Sequence, residues 1–259
     1  MGASILVVKI GGSMAEDLAS LGQLASDLAA LAAAGTRVAL VHGGGKDINR
    51  NLQWLGQEPR FVDGLRVTDE AAMDIVEMTL SGRVNKLLVR LLLSASARPV
   101  GVSGIDANLF QATPLREDGA LGRVGSVTDV DPSLLEALWG AGFLPVVSPV
   151  SLGPDGQSWN VNADDAAAAL ASRLRADALV YVSDVPGVLE NGQRIPSLDP
   201  AGVENLIARG VASGGMIPKL RGCVQTLRAG VGSVVVSGWS GPGSIERILS
   251  GSAGTTLRA

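Results

Sequence analysis

Residues 37–46 read Arg-Val-Ala-Leu-Val-His-Gly-Gly-Gly-Lys, and this stretch decides the fold. Val38 to Val41 run without polar alternation, the pattern of a strand buried on both faces, as strands of a parallel sheet are. Three consecutive glycines cost more backbone entropy than an ordinary turn requires, and their bare N–H groups suit close approach to an anion. The segment runs on into a helix, whose N-terminal N–H groups favour negative charge. Neither familiar phosphate motif is present. Leu40 and Asp47 stand where a P-loop needs Gly and Ser or Thr, and Ile48 stands where a dinucleotide fingerprint needs its third glycine. His42, a lone histidine closing a buried strand, reads as an oriented structural group more readily than as a catalytic base.

The same strand-then-helix grammar extends in both directions. The sequence predicts strands over Ile5–Ile10, Arg37–His42, Pro99–Ser103, Leu144–Val150, Ala178–Ser183 and Ser233–Ser237. Helices are predicted over Asp17–Ala34, Asp69–Ser81, Val84–Leu93, Ser133–Trp139, Asp164–Leu174, Ala201–Ala208 and Lys219–Ala229. In the first helix Leu18, Leu21, Leu24, Leu28 and Leu31 fall at spacings of three and four, one helical face. Alternation of this kind predicts an α/β fold with a mainly parallel sheet covered by helices on both faces. The last 85 residues read as poorer in strands and richer in Gly, Pro and Asn turns.

Composition closes several doors. A chain of 259 residues that is 46% hydrophobic can bury a sizeable core. Its apolar runs are interrupted by Asp27, Arg90 or Asp177 before the ~20 residues a membrane span needs. The amino terminus runs directly into a strand, with no leader pattern. One cysteine, Cys223, and one histidine exclude an internal disulfide and the usual zinc clusters. A net charge of −4 with three Phe, four Trp and one Tyr offers no basic, stacking surface for nucleic acid. The expectation is a cytoplasmic protein. Its 34 glycines are nearly double the usual ~7%.

Five further segments carry polar groups that local structure alone does not explain. Val8-Lys9-Ile10-Gly11-Gly12-Ser13 puts a cation beside two glycines at the end of a buried strand, either an anion site or a lysine reaching solvent ahead of a turn. In Gly64-Leu65-Arg66-Val67-Thr68-Asp69-Glu70, Thr68 or Asp69 suits a helix cap. Arg66 lies between apolar neighbours and faces either a substrate carboxylate or a structural Asp or Glu. Trp159-Asn160-Val161-Asn162-Ala163-Asp164-Asp165 holds more Asn and Asp than one cap uses. Gly214-Gly215-Met216-Ile217-Pro218-Lys219 places a lysine at the positive end of a helix, a conflict that a nearby anion would remove. Ser183-Asp184-Val185-Pro186-Gly187-Val188 is a tight turn that lines a nucleotide or merely connects.

Taken in order, these segments, with the closing Gly254-Thr255-Thr256, resemble the amino acid kinase family over nearly the whole chain. Gly-Leu-Arg-Val-Thr-Asp-Glu, Asn-Val-Asn-Ala-Asp and Gly-Gly-Met-Ile-Pro-Lys resemble the branch that phosphorylates N-acetyl-L-glutamate. The resemblance implies an open αβα sandwich in two lobes. Residues 1–174 would bind the amino-acid substrate and dimerise, and residues 175–259 would bind ATP. It implies ATP-dependent phosphorylation of the γ-carboxylate of N-acetyl-L-glutamate, a step of arginine biosynthesis. Mg²⁺ would be held mainly by ATP phosphates and water. The catalytic set it implies is Lys9 and Lys219, which neutralise the moving phosphoryl group, and Asp164, which positions both. Gly44, Gly45, Arg66 and Asn160 would contact the substrate. Gly11, Gly12, Ser183, Asp184, Val185, Pro186, Gly187, Val188, Val211, Ala212 and Ser213 would contact the nucleotide.

Two departures from the family pattern stand out. Gly104-Ile105-Asp106-Ala107 lacks the glycine that often follows the aspartate, and Val236-Ser237-Gly238-Trp239-Ser240-Gly241 replaces an Asp-Gly-Arg. Arginine-inhibited hexameric members resemble one another in an extra N-terminal helix, so the short start implies an arginine-insensitive homodimer. The rival enzymatic reading is a kinase of α-aminoadipate or glutamate carried by a small acidic protein, in lysine or arginine biosynthesis. It fits less well, because the substrate string is short and the net charge is −4. A catalytically inactive relative that senses an amino acid or nucleotide is the non-enzyme alternative, against which Lys9, Asp164 and Lys219 are all retained.

Overall fold

A computed structural model of the chain describes residues 3–11, 14, 17–212 and 214–259. Gly12 and Ser213, both expected near the nucleotide, lie outside the described residues. In chain order the elements begin with β1 (Ile5–Ile10), α1 (Leu18–Ala33), β2 (Arg37–His42), α2 (Gly45–Trp54), β3 (Phe61–Val62), β4 (Leu65–Arg66) and α3 (Glu70–Glu77). A π-helical turn, Met78–Val84, joins α3 to α4 (Asn85–Ser94). Next come β5 (Pro99–Ser103), β6 (Phe110–Pro114), β7 (Val124–Val130), α5 (Ser133–Gly140), β8 (Leu144–Ser148), β9 (Val150–Leu152), β10 (Ser158–Val161) and α6 (Ala163–Leu174). The chain ends with β11 (Ala178–Ser183), β12 (Leu189–Glu190), β13 (Gln193–Arg194), β14 (Ser197–Leu198), α7 (Pro200–Ala208), α8 (Met216–Arg228), β15 (Val234–Gly238), α9 (Ser244–Leu249) and β16 (Thr255–Leu257).

Among the described residues, eight strands form one sheet in the order β14-β16-β15-β11-β1-β2-β8-β5. Neighbours pair in parallel except β15 with β16. The expected open, mainly parallel α/β sandwich is therefore the observed fold. Side-chain alternation along β1 divides the core. Leu6, Val8 and Ile10 pack toward α1, α4 and α9, whereas Val7 packs with residues of α6 and α8 on the opposite face. By the same parity Lys9 lies on the face covered by α6 and α8. A second, smaller group of strands, β10-β7-β6-β9, closes on itself, and the chain enters it directly after β8.

Three expectations change. Leu144–Val150 is not one strand, because Pro149 ends β8 and the chain turns into β9 of the small barrel. The region after residue 174 is not poor in strands, since β11 to β16 all lie there. The predicted Asp69–Ser81 helix gives way at Met78 to the π turn, so α3 and α4 run on without the expected break. Where the family's glycine is missing, Ala107 takes φ 50° and Asn108 φ 59°, the left-handed region a glycine would occupy without strain.

Helix α9 shows how distant sequence stabilises local structure. Its N-cap, Gly243, has no side chain to satisfy the first N–H groups. Asp27 of α1 does so instead, accepting from Gly243 N at 2.9 Å and Ile245 N at 3.2 Å. Asp27→Ala is expected to lower the free energy of unfolding by about 1–3 kcal/mol, the usual cost of orphaning such donors, as read from urea denaturation.

Candidate functional site

The C-terminal ends of the parallel strands are where an open α/β sheet binds ligands, and the polar segments gather there. Lys9 projects from β1 beside Gly11. A Cβ at Gly11 would meet the Lys9 amine, which would have to shift to admit a side chain there. Asn162, in a β conformation, caps α6 by accepting from Asp164 N at 2.8 Å. That cap sets Asp164 in the first turn of α6, facing β1. Lys219 lies in the first turn of α8. Asp164 joins the two lysines: Oδ1 is 2.7 Å from Lys9 Nζ and Oδ2 is 3.1 Å from Lys219 Nζ. The three side chains are 14%, 29% and 23% exposed in chain order, half-buried rather than solvated. Burial works against the Asp164 charge, yet the two ammonium groups outweigh it and hold the carboxyl below its ordinary range. The conflict of a lysine at a helix N-terminus is thereby resolved within the chain. Tyr181 of β11 underlies the cluster, with its ring centroid 5.2 Å from Lys219 Nζ.

A cavity of about 260 Å³ opens beside Lys9, below the ~300–1,000 Å³ usual for drug-sized ligands and suited to a small metabolite. Gly44, Gly45, Arg66 and Asn160 all line it. Arg66, on the β3–β4 hairpin, is held by the Phe61 ring 4.9 Å from its guanidinium carbon and donates from Nη2 to Gly45 O at 3.1 Å. Its Nη1 is buried and has no hydrogen-bond partner among the described residues. Burial pulls the guanidinium below its ordinary pKa, with no carboxylate opposing the shift. The structural Asp or Glu left open by the sequence is therefore not what Arg66 faces among the described residues. Asn160 of β10 donates to Thr68 Oγ1 at 3.0 Å, which ties the barrel wall to the segment carrying Arg66. Gly44 is the N-cap of α2, and a side chain there would meet Leu80 and Val84.

His42 is fully buried. Its Nε2 lies 3.2 Å from Asn85 Nδ2, an amide nitrogen that also donates to Val146 O at 2.9 Å. Nε2 must therefore accept, which places the ring proton on Nδ1, 3.0 Å from Gly43 O. Because a peptide is planar and trans, fixing the Gly43 carbonyl toward His42 turns the Gly44 N–H to the opposite side. Burial above all keeps the ring neutral and pulls its pKa down to about 4. His42 orients the glycine loop.

The residues expected at the nucleotide are more dispersed. Ser183, Asp184 and Pro186 line a larger cavity of about 610 Å³, together with Trp239 and Gly254. Gly187 has φ 140° and packs against Thr255, and Val188 N donates to Thr255 Oγ1 at 2.8 Å. Val185 packs against the core from its edge, whereas Val188 and Ala212 are buried in it at 3% and 4% exposure. Val211 and Ala212 follow α7, where both N–H groups donate to Leu206 O. Sequence reading overlooked Phe61, Thr68 as the partner of Asn160, and Tyr181. The one available signal for Tyr181 was its being the only tyrosine of the chain, set in a strand of Leu and Val.

Comparison with known proteins bears on this geometry. The model of the "Amino acid kinase family" matches residues 4–237. A protein of Rubrobacter xylanophilus named acetylglutamate kinase is 44% identical over 253 residues, 98% of this chain and 96% of its own. One of the same name from Chloroflexus aurantiacus is 46% identical over 240 residues, 92% of this chain and 93% of its own. Among solved structures, N-acetylglutamate synthase of Neisseria gonorrhoeae, complexed with coenzyme A and N-acetyl-glutamate, superposes with a TM-score of 0.86 at 25% identity. The match covers 100% of this chain and 60% of that one. Carbamate kinase of Giardia lamblia bound to AMP-PNP shares the fold, with a TM-score of 0.70 at 16% identity, covering 99% of this chain and 98% of its own.

The neutral, buried His42 has a measurable consequence. An unfolded histidine titrates near ~6.5. Between that value and about 4 the unfolded chain holds a proton that the folded chain does not, so stability falls as pH drops through this window. At pH 5 the loss due to His42 is about 2 kcal/mol relative to pH 7.5, from roughly 1.4 kcal/mol per pH unit. Urea denaturation at the two pH values is expected to show that increment in the parent protein and not in His42→Gln. The same pH dependence in both would remove His42 as its source.

Proposed function

The chain belongs to the amino acid kinase family, and from that membership and the Lys9–Asp164–Lys219 cluster we propose that it transfers the γ-phosphoryl group of ATP to the γ-carboxylate of N-acetyl-L-glutamate. The product is N-acetylglutamyl phosphate, in arginine biosynthesis. The observation that carries the substrate half of this reading is Arg66: a half-buried guanidinium whose buried Nη1 has no partner among the described residues, lining a small cavity that Lys9 also lines. A dicarboxylate has one carboxylate for Arg66 and one to receive phosphate. Asn160, across the same cavity, suits the acetamido group.

The chemistry asks for positioning and charge neutralisation more than for proton transfer. A carboxylate is already ionised at neutral pH, so its oxygen attacks the γ-phosphorus without a general base while the bond to the β–γ bridging oxygen breaks. Lys9 and Lys219 neutralise charge on the transferring group and on the leaving oxygen, and the N–H groups at Gly11 and Gly44 add donors around it. Asp164 holds both ammonium groups in place before substrate arrives, which is the preorganisation such catalysis rests on.

The donor set fits a metal that arrives with the nucleotide. Both Asp164 oxygens are engaged by ammonium groups and, among the described residues, no cluster of three or more His, Cys, Asp or Glu could hold a metal, so a divalent ion would bring most of its oxygen ligands as phosphate and water. Bound there, Mg²⁺ supplies further charge neutralisation. Residues 1–174 form the substrate lobe and residues 175–259 the nucleotide lobe, with the turn at Ser183, Asp184 and Pro186 against ATP. The enzyme acts as a cytoplasmic homodimer paired through the N-terminal lobe. No helix of the described residues is long and apolar enough to cross a membrane.

The test is acyl-phosphate formation, trapped with hydroxylamine, from N-acetyl-L-glutamate and ATP by the purified protein. Lys9→Met and Lys219→Met are each expected to lower kcat by roughly 10²–10³-fold, the scale seen on losing a transition-state oxyanion donor. An unchanged kcat in either variant removes that lysine from the mechanism. No acyl phosphate from N-acetyl-L-glutamate overturns the substrate assignment.

A further inference from the structure

The charge cluster stands on a residue whose chemistry exceeds what its place in a strand demands. Tyr181 lies at the centre of β11, 4% exposed, where its neighbours Leu179, Val180 and Val182 are aliphatic. A leucine would fill an apolar strand position at lower cost, because a buried hydroxyl must find a partner. In the sheet register Tyr181 is paired with Lys9, so the two side chains share a face one strand apart. Its hydroxyl donates to the backbone carbonyl of Asp164 at 3.2 Å, in the first turn of α6. Its ring centroid lies 5.2 Å from Lys219 Nζ, within range of a cation–π contact.

One rigid side chain thus contacts two members of the cluster, Asp164 and Lys219, and stands one strand away from the third, Lys9. From this we infer that Tyr181 is a positioning residue for phosphoryl transfer, fixing the backbone of Asp164 through its hydroxyl and the Lys219 ammonium through its ring. The inference rests on the catalytic reading of Lys219 given above. Burial first, and the surrounding Cys223, Asp164 and Asp165 next, push the phenol well above its ordinary pKa, so the hydroxyl stays a donor throughout the working pH range. Tyr181 touches neither substrate in this scheme. Its loss is expected to appear in kcat and not in either KM.

The experiment compares kcat and KM for ATP and N-acetyl-L-glutamate in the parent enzyme, Tyr181→Phe, Tyr181→Leu, Lys219→Met and the double variant Tyr181→Leu/Lys219→Met. Tyr181→Phe keeps the ring and loses the hydroxyl, for an expected fall in kcat of about 3–10-fold. Tyr181→Leu loses both, for about 10–50-fold, with each KM within about twofold of the parent. In the Lys219→Met background the ring has no ammonium left to hold, so the further loss from Tyr181→Leu shrinks to that of the hydroxyl alone. Overturning results are a parent-like kcat in both Tyr181 variants, or a Tyr181→Leu loss as large without Lys219 as with it. If Tyr181→Leu fails to fold, the Phe variant decides, since a parent-like kcat there removes the hydroxyl from the scheme. If Lys219→Met itself retains the parent kcat, the reading of Lys219 fails, a result distinct from the failure of Tyr181 alone.

Discussion

Two ammonium groups from opposite ends of the chain share a single carboxylate, and the rest of the site is built around that fact. Held in one half-buried place, Lys9 and Lys219 would repel each other and pay for lost hydration. Asp164 cancels one of the two charges and leaves the three-residue cluster with one unit of positive charge, next to the Asp165 carboxyl that lines the cavity with Lys9. Such a balance suits a triphosphate. It is cationic enough to attract an anion and neutral enough to be stable without one. Removing the shared acid would strand two cations in a partly desolvated setting, which costs far more than the loss of one surface ion pair.

The fold makes this meeting possible because it is one sheet. Strands β1 and β11 lie side by side at its centre, so Lys9 from the first half and Tyr181 from the second are neighbours. Helices α6 and α8 cover the same face, and each begins at the strand ends where their first turns can reach Lys9. Glycine is used where side chains would block that meeting. Gly11 leaves space for the Lys9 amine, and Gly44 brings the backbone against Leu80 and Val84. His42 and Asn85, buried beneath, set the direction of the loop's peptide planes without entering the cavity.

What could be read in the sequence follows from how each element is stabilised. Strands β1, β2, β5 and β11 have the bounds that their apolar runs predict; in β1, β2 and β11 burial on both faces leaves a nearly unbroken apolar signal, whereas β5 is a half-buried edge strand. The resemblance to the family's motifs likewise led to Lys9, Arg66, Asp164 and Lys219, since charged residues at strand and helix ends are conspicuous against such runs. Strands of the small barrel were not legible. Their partners are distant and their exposed residues polar, as in Thr128 and Asp129 of β7. The hairpin carrying Arg66 has two-residue strands, too short for any periodicity. Tyr181 and the Asn85–His42 bond depend on register and packing between remote segments, which composition does not encode.

The most direct test of the shared carboxylate is the turnover of Asp164→Asn, which keeps the shape of the side chain and removes its charge. With folding checked by circular dichroism, kcat should fall by about 10²-fold or more, while KM for N-acetyl-L-glutamate changes little. A kcat within about threefold of the parent would show that the lysines hold their places without Asp164 and would contradict the account.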